Sequence, residues 1–327
     1  MDSVPLCFIQ SVLRSFKIRT GTEARNLPGL WGQLAEAYAE NSGRLYIMYN
    51  VLAQRDGCML YKLFGWKHLK KRTICPEVVR EISKSLIKIN FSFIRSHTYD
   101  DERDDEKNWY VIDPEDDDVR RLIMCLDAPE HSLNLYMPQG FYKKLESTYV
   151  HMVSKYSEIF RTFTHVRLHF FGEPASTLLF QSILSSRRLQ SIVSNEPVPA
   201  NIPTSLWVDY FFSERCSSIY AHFEDFNVVL EIIDRWKKTD LRRTRSSKRL
   251  SGLEASPDDF ANVHMEPMTE DLPGARWTLE GIARKWEAWT VASVHWIGHP
   301  VQPTARIFVV FLEDDGKLGS NCSILFD

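Results

Sequence analysis

Apolar residues recur at helical spacing near the start of the chain. They follow one another after three, four and three residues, at Leu6, Ile9, Leu13 and Phe16. This spacing gathers apolar side chains on one side of a helix, and the proline at position 5 is tolerated in a first helical turn. The pattern predicts a short amphipathic helix, and a second helical pattern covers residues 30–39. The spacing leaves open whether the first helix packs internally or docks on another protein.

The next pattern has the two-residue period of β-strands. Residues 44–51 and 58–64 are rich in β-branched and aromatic side chains, and residues 54–57 between them read Gln-Arg-Asp-Gly. Asp-Gly between two such runs is a strong hairpin signal. Both faces of the predicted hairpin carry apolar residues, so we expect it to be covered on both sides.

From residue 86 onward, short strand-like stretches alternate with amphipathic helical ones. Predicted strands cover residues 86–93, 132–136, 165–171, 189–193 and 217–223. Predicted helices cover residues 114–126, 141–160, 174–184, 205–212 and 226–236. Such alternation predicts an α/β fold with parallel strands joined by crossover helices.

Two architectures fit this series, a doubly wound sheet and an open arc of the leucine-rich-repeat type. Strands that begin at residues 165, 189 and 217 are 24 and 28 residues apart, which matches short repeat units. The predicted strands also alternate apolar with polar residues, such as Lys88 and Asn90, whereas central strands of a doubly wound sheet are apolar on both faces. The pattern therefore favours the leucine-rich-repeat-like arc.

In such an arc the strands form a concave wall whose outward side chains are free to meet a partner. The outward positions are rich in amphipathic and hydrogen-bonding residues, which suit protein interfaces. We predict a partner-binding surface made of Asn134, Tyr136, Arg167, His169, Tyr220 and His222. The alternative is a solvated sheet face that binds no partner.

Two segments stand out by their charge. Residues 100–118 hold eleven acidic and two basic residues, which is typical of a solvated loop. Residues 237–249 hold seven basic residues among thirteen, and the polar stretch that follows contains three prolines. Residues 238–274 are therefore predicted to be a flexible basic and polar linker. A localisation signal, a nucleic-acid contact or a phosphorylation site within it are left open.

The last predicted domain, residues 275–327, combines a tryptophan-rich helix with a second hairpin. Its two strand-like runs are separated by Gly-His-Pro at residues 298–300. The tryptophans of this region are Trp277, Trp286, Trp289 and Trp296. Because few basic residues are interleaved with them, we expect these rings to be core rather than a base-stacking surface.

The overall composition narrows the function classes. Among 327 residues there are 40 Lys and Arg against 43 Asp and Glu, for a net charge of −3, which argues against a dedicated nucleic-acid partner. No apolar run reaches the length of a membrane span, and the N-terminus lacks the basic start of a signal peptide. We therefore predict an intracellular protein, cytoplasmic or nuclear, whose six scattered cysteines are reduced core thiols.

Catalytic motifs are missing from the sequence. It contains no glycine-rich phosphate loop, no GxSxG and no HExxH. His165 and His169 are four residues apart but lie in a predicted strand, so metal ligation is not favoured. We predict no catalytic residue, no metal and no cofactor. The alternative is a hydrolase or transferase without a recognisable motif, which would show a closed pocket with paired titratable groups.

The first residues of the chain resemble the start of an F-box. That motif opens with Leu-Pro, continues with two apolar pairs and closes with a leucine. The corresponding positions here are Val4-Pro5, Phe8-Ile9, Val12-Leu13 and Phe16. More specifically, the opening is similar to that of a nematode family in which an F-box-like N-terminus precedes an apolar hairpin and a repeat-like βα body.

This resemblance implies a function. Residues 1–43 would form an F-box-like helical segment, and residues 44–237 would form the hairpin and the βα-repeat body that holds a target protein. The implied activity is substrate recognition for a cullin-type ubiquitin ligase, whose chemistry belongs to its partners. The residues implied to bind a Skp-type adaptor are Val4, Pro5, Phe8, Ile9, Leu13 and Phe16. A protein-interaction module without ligase partners is the alternative.

Overall fold

The computed structural model forms two compact units, Met1–His165 and Val166–Asp327. The residues that it describes are 8–9, 11–12, 26–50, 58–92, 109–112, 117–135, 162–168, 175–184, 186, 188–240, 248–269, 279–282, 290–314 and 317–326. Together they form a mixed α/β structure with both parallel and antiparallel strands. The predicted α/β class is therefore confirmed.

The first unit contains a five-stranded mixed sheet. Its elements in chain order are α1 (Leu30–Asn41), β1 (Gly43–Asn50), β2 (Cys58–Gly65), α2 (Pro76–Ile82), β3 (Leu86–Ser92), β4 (Tyr110–Ile112), α3 (Asp117–Met124) and β5 (Glu130–Asn134). The strand order is β5-β3-β1-β2-β4. Strands β1 and β2 pair antiparallel, which confirms the predicted hairpin, whereas β3 pairs parallel with both β1 and β5.

Buried side chains of the first unit lie on both faces of the hairpin, with Met48 and Lys62 on one of them. In the hairpin, Leu45 pairs with Leu63 and Ile47 pairs with Tyr61, and all four are buried. The hydroxyl of Tyr61 accepts a hydrogen bond of 2.8 Å from the backbone N–H of Ile74. The segment that follows the hairpin is thereby fixed against it.

The second unit contains an eight-stranded sheet. Its elements are β6 (His165–Leu168), α4 (Ala175–Leu184), β7 (Ser191–Val198), α5 (Thr204–Phe212), β8 (Ser218–Phe223), α6 (Asn227–Lys238), β9 (Lys248–Leu253), β10 (Glu266–Pro267), β11 (Thr290–Gly298), β12 (Arg306–Asp314) and β13 (Lys317–Phe326). The strand order is β6-β7-β8-β9-β13-β12-β11-β10. Strands β7, β8 and β9 are parallel neighbours. The other neighbours pair antiparallel, namely β9 with β13, β13 with β12, β12 with β11 and β11 with β10.

Aromatic side chains connect the helices of the second unit to one face of its sheet. The ring of Trp207 on α5 lies 4.3 Å from that of Phe180 on α4 and 5.1 Å from that of Phe223 on β8, measured between centroids. Trp236 on α6 contacts Phe326 of β13 at 6.3 Å. The covered face of β8 and β13 is therefore the helix side.

The predicted linker contains regular structure. Residues 248–253, within the 238–274 segment, form β9 between β8 and β13, and Lys248, Leu250, Ser251 and Leu253 are buried. A short 3₁₀ helix covers Pro257–Phe260. The flexible-linker prediction is wrong for these residues, because hydrogen bonds from two neighbouring strands fix a segment whose composition is polar. Residues 241–247 and 270–278 lie outside the described part of the chain.

Other elements differ from the sequence prediction or lie beyond the description. Strand β4 occupies the acidic 100–118 segment, for which a solvated loop was expected, and β13 extends the predicted C-terminal hairpin by a third strand. Cys216 and Cys322 are buried as predicted, but Cys125 is exposed. The predicted helix at 141–160 and three of the four C-terminal tryptophans, Trp277, Trp286 and Trp289, lie outside the described residues.

Candidate protein-binding surface

Along β6 and β8, the sheet face opposite α4, α5 and α6 carries exposed side chains, whereas on β13 the same face is covered, because Leu325 packs in a buried cluster with Ile282. In β8, Ile219 and Ala221 are buried whereas Tyr220 between them is 41% exposed. Burial alternates in the same way in β6, where Arg167 is exposed between two buried residues. The alternation predicted for both strands is therefore confirmed. The pairing of β8 with β9 places Tyr220, His222 and Arg249 on one face, and we group them with the exposed Arg167 of β6 as the open face.

Tyr220 lies over the backbone of the next strand. A Cβ atom added at Gly252 of β9 would stand 3.0 Å from the Tyr220 ring, so only a residue without a side chain leaves the ring this position. Gly252 also has a φ of +77°, which glycine adopts at little cost, at a point where the register of β9 with β13 shifts. The bulge therefore lets the Tyr220 ring lie against the sheet.

His222 occupies the next outward position on β8 and contacts an acidic residue. Its Nδ1 lies 3.3 Å from Oε1 of Glu254, which follows β9. The two groups form an ion pair when the imidazole carries its second proton. On β7 the neighbouring carboxyl is Glu196, which is partly buried, and burial raises its pKa. Glu254 thus has a contact with His222, and Glu196 is partly withdrawn from solvent.

Arg249 is a member of the open face that sequence reasoning missed. It is exposed on β9, opposite Ser218 of β8 and opposite Leu325 of β13. Its position on the same face as Tyr220 follows from this register, since residues paired across strands point to the same side. The sequence pattern did not indicate a strand at Arg249, because this residue belongs to the basic run for which a linker was predicted.

The remaining predicted partner-binding residues are not all brought together. Asn134 ends β5 of the first unit and is partly exposed. On the same face of that unit, Lys88 of β3 pairs with Glu130 of β5 at 2.6 Å. Tyr136 and His169 lie outside the described residues. Tyr220 and His222 are thus the predicted residues that one strand places on one face, and Arg167 is exposed on β6.

The predicted adaptor-binding residues divide in a similar way. Residues 8–9 and 11–12 are helical, in agreement with the predicted first helix. Phe8 is 55% exposed, whereas Ile9 is fully buried and packs with Ala35 of α1. Ile9 is therefore core and not surface, because neighbouring helical positions point about 100° apart. Val4, Pro5, Leu13 and Phe16 lie outside the described residues.

Two thiols and one phenol of the second unit are buried. Burial raises the pKa of the Cys216 thiol to about 11, although the ammonium of Lys248 acts in the opposite direction. Burial also raises the pKa of Cys322 and of Tyr210. Across the described ranges, no group of three or more His, Cys, Asp or Glu side chains is arranged to hold a metal ion.

These thiol environments predict an order of cysteine labelling. At pH 8, the exposed Cys125 is expected to react with iodoacetamide first among the four cysteines whose burial the structure describes, Cys75, Cys125, Cys216 and Cys322. A thiol of pKa about 11 is only about 0.1% thiolate at that pH, so Cys216 should stay unlabelled in the folded chain, as should Cys322. Peptide mass mapping measures this order, and labelling in urea is the control that both thiols can react. Equal rates at Cys125 and Cys216 in the folded chain would contradict the buried site.

Among the described residues, no helix is both long enough and apolar enough to cross a membrane.

Comparisons with known proteins give no further identification. No protein-family model, no curated protein and no solved structure matches the chain. The functional conclusion therefore rests on the geometry of the open face and on the resemblance of the first residues to an F-box.

Proposed function

We propose that this chain is a non-catalytic protein-binding receptor and, from its resemblance to nematode F-box-like proteins, the substrate-recognition subunit of a cullin-type ubiquitin ligase. The observation that carries the receptor function is the open face, where Arg167, Tyr220 and Arg249 are exposed on strands β6, β8 and β9. Arginine and tyrosine are enriched at protein interfaces. A sheet face whose side chains are exposed on several strands suits a protein partner better than a small ligand, which binds in a pocket.

The finer architecture that we propose is a leucine-rich-repeat-like arc. Strands β7, β8 and β9 are parallel neighbours that follow one another in chain order. Stacked repeats have this order because each unit contacts the next one, whereas a doubly wound sheet reverses its strand order in the middle. The open face would then belong to the wall that holds the target.

For the adaptor, we propose the N-terminal segment as the binding region. Three large apolar side chains of this segment are exposed, namely Phe8, Leu27 and Leu30. Exposed apolar groups of this kind often mark protein-binding sites. Of the two implied residues that the structure describes, Phe8 and Ile9, we expect Phe8 to contact a Skp-type adaptor directly.

A second candidate function is a protein-interaction module without ligase partners. It is favoured by the burial of Ile9, which packs on α1 together with Trp31 and Leu34. In this case the first helix serves the fold of its own unit. The open face would retain its role, since it belongs to the other unit.

Affinity purification of the tagged full chain, followed by quantitative mass spectrometry, tests the ligase function. We expect a Skp-type adaptor and a cullin in the wild-type sample. Phe8→Asp should lower adaptor recovery about tenfold, which corresponds to the loss of one buried aromatic contact, without a shift of the urea midpoint. Leu178→Asp is the matched control, because Leu178 is similarly exposed at 53% but lies on α4.

The same experiment separates the two candidate functions. Absence of adaptor and cullin from the wild-type sample would contradict the ligase function and favour the interaction module. Ile9→Asp places a charge in a buried site, so it should lower the urea midpoint of the first unit, whether or not an adaptor binds.

A further inference from the structure

We propose that the open face binds an extended acidic segment of the target protein, with Arg167 and Arg249 holding carboxylates and Tyr220 contacting an apolar side chain between them. This inference deepens the proposed receptor function and rests on it. Its new content is the chemistry of the target, which neither the sequence pattern nor the resemblance specifies. It also adds Arg249 to the binding residues.

The open face carries positive charge. Arg167 and Arg249 are both exposed, and within the part of the chain that the structure describes neither has a carboxylate within ion-pairing distance. The carboxylate of Glu254 contacts His222 instead, with 3.3 Å between its Oε1 and the Nδ1 of the imidazole. The two guanidinium groups therefore give the open face its positive charge, and guanidinium groups bind carboxylates through two parallel hydrogen bonds.

Tyr220 lies beside Arg249 on the open face. Arg249 pairs with Ser218, and Tyr220 is the next residue of β8 on the same face. Such diagonal neighbours lie about 7 Å apart, within reach of a long arginine side chain. Because the ring lies against Gly252, it offers an apolar surface next to the guanidinium group. A peptide segment bound here would contact the Tyr220 ring and the Arg249 guanidinium group with side chains that follow one another along the peptide.

The spacing between the strands of the two arginines matches that of residues along an extended peptide. The two arginines stand on β6 and β9, which are separated by β7 and β8. Three steps of about 4.8 Å give roughly 14 Å between their strands. An extended chain advances about 3.4 Å per residue, so residues i and i+4 are also about 14 Å apart. Across the strands, this separation fits carboxylates at i and i+4, with an apolar side chain between them that reaches Tyr220 on β8, one strand from Arg249 and two from Arg167.

Fluorescence anisotropy with two labelled peptides tests this inference on the full chain. The first peptide carries Glu-Ser-Leu-Ser-Glu, and the second carries Lys-Ser-Leu-Ser-Lys in the same flanking sequence. We expect the acidic peptide to bind at least about tenfold more tightly than the basic one. Arg167→Glu and Arg249→Glu should each weaken the acidic peptide about tenfold or more, because each places like charges together.

Arg215→Glu is the matched control, since Arg215 is an exposed arginine in the turn between α5 and β8 and is not one of the four residues of the open face. It should change the affinity by less than about twofold. Tyr220→Ala should weaken binding more than Tyr220→Phe does, because the contact uses the ring. If Arg249→Glu fails to fold, Arg249→Gln takes its place. Equal weakening by Arg215→Glu, or equal binding of both peptides, would overturn the inference.

Adaptor recovery from the same arginine variants distinguishes this inference from the proposed ligase function. We expect Arg167→Glu and Arg249→Glu to retain the adaptor while they lose the acidic peptide. Peptide binding without any adaptor would support the inference and contradict the ligase function. Adaptor binding by a chain that does not discriminate between the peptides would overturn the inference alone.

Discussion

Trp66→Ala is expected to lower the free energy of unfolding of the first unit by about 3–5 kcal/mol, the usual cost of removing a buried tryptophan. Trp66 follows β2 and is fully buried. Its Nε1 donates a hydrogen bond of 3.0 Å to Oγ of Ser85, which in turn donates to the carbonyl oxygen of Asn41 at 2.8 Å. The ring therefore joins the ends of α1, β2 and α2, so its loss leaves both a cavity and unpaired polar groups.

The backbone at Trp66 allows a sharper comparison. Its φ is +45°, a conformation that costs an ordinary residue roughly 1–2 kcal/mol and glycine much less. Trp66→Gly should therefore be about 1 kcal/mol more stable than Trp66→Ala, although glycine destabilises most positions. Urea unfolding measures both, with Val111→Ala at a 66% exposed position as a control that should stay within about 0.5 kcal/mol of the wild type. If alanine is the more stable of the two, the left-handed backbone at Trp66 is wrong.

The elements that sequence alone could predict are those whose signals are local. The Asp-Gly turn between two alternating runs predicted β1 and β2, and the change of period from two to 3.6 predicted β8 and α6 within one or two residues. Alternation also predicted that Tyr220 and His222 would share a face. These signals work because each residue's neighbours in the chain determine its side of the strand.

Strand β9 shows why other elements could not be predicted. Its sequence, Lys-Arg-Leu-Ser-Gly-Leu, contains charged residues and a glycine, which are depleted in strands. The strand is stabilised by β8 on one side and by β13, about 70 residues later in the chain, on the other. Such distant pairing leaves no mark in a local window. Arg249 was therefore assigned to a linker and lost from the predicted binding surface.

The N-terminal segment illustrates a different limit. The apolar pattern placed both Phe8 and Ile9 in one stripe, but only Ile9 packs against α1. A helix of this kind has an apolar stripe wider than one partner element covers, so the pattern could not tell the buried member from the exposed one. Contact with α1, which lies more than 20 residues later, makes that distinction.

Lys248→Met is expected to lower the free energy of unfolding of the second unit by about 2–4 kcal/mol. Lys248 is 4% exposed, and its ammonium donates hydrogen bonds to the carbonyl oxygens of Phe211 at 2.5 Å and of Ser213 at 2.7 Å. These carbonyls end α5, where backbone partners are missing and the helix dipole favours a positive charge. Each hydrogen bond from a charged group contributes about 1.5–3 kcal/mol, and methionine, which avoids burying an ammonium, recovers part of the loss.

Arg249→Met provides a matched control for this variant, because it removes the same charge from the adjacent residue of the same strand. Arg249 is exposed, so its replacement should change the stability by no more than about 0.5 kcal/mol. Urea unfolding of both full-length variants measures the difference between the two positions. If residues 248 and 249 belonged to a solvated linker, replacement of either basic residue would leave the free energy of unfolding unchanged. Equal midpoints for the two variants would therefore mean that Lys248 does not cap α5 and that the 238–274 segment is the linker its composition predicted.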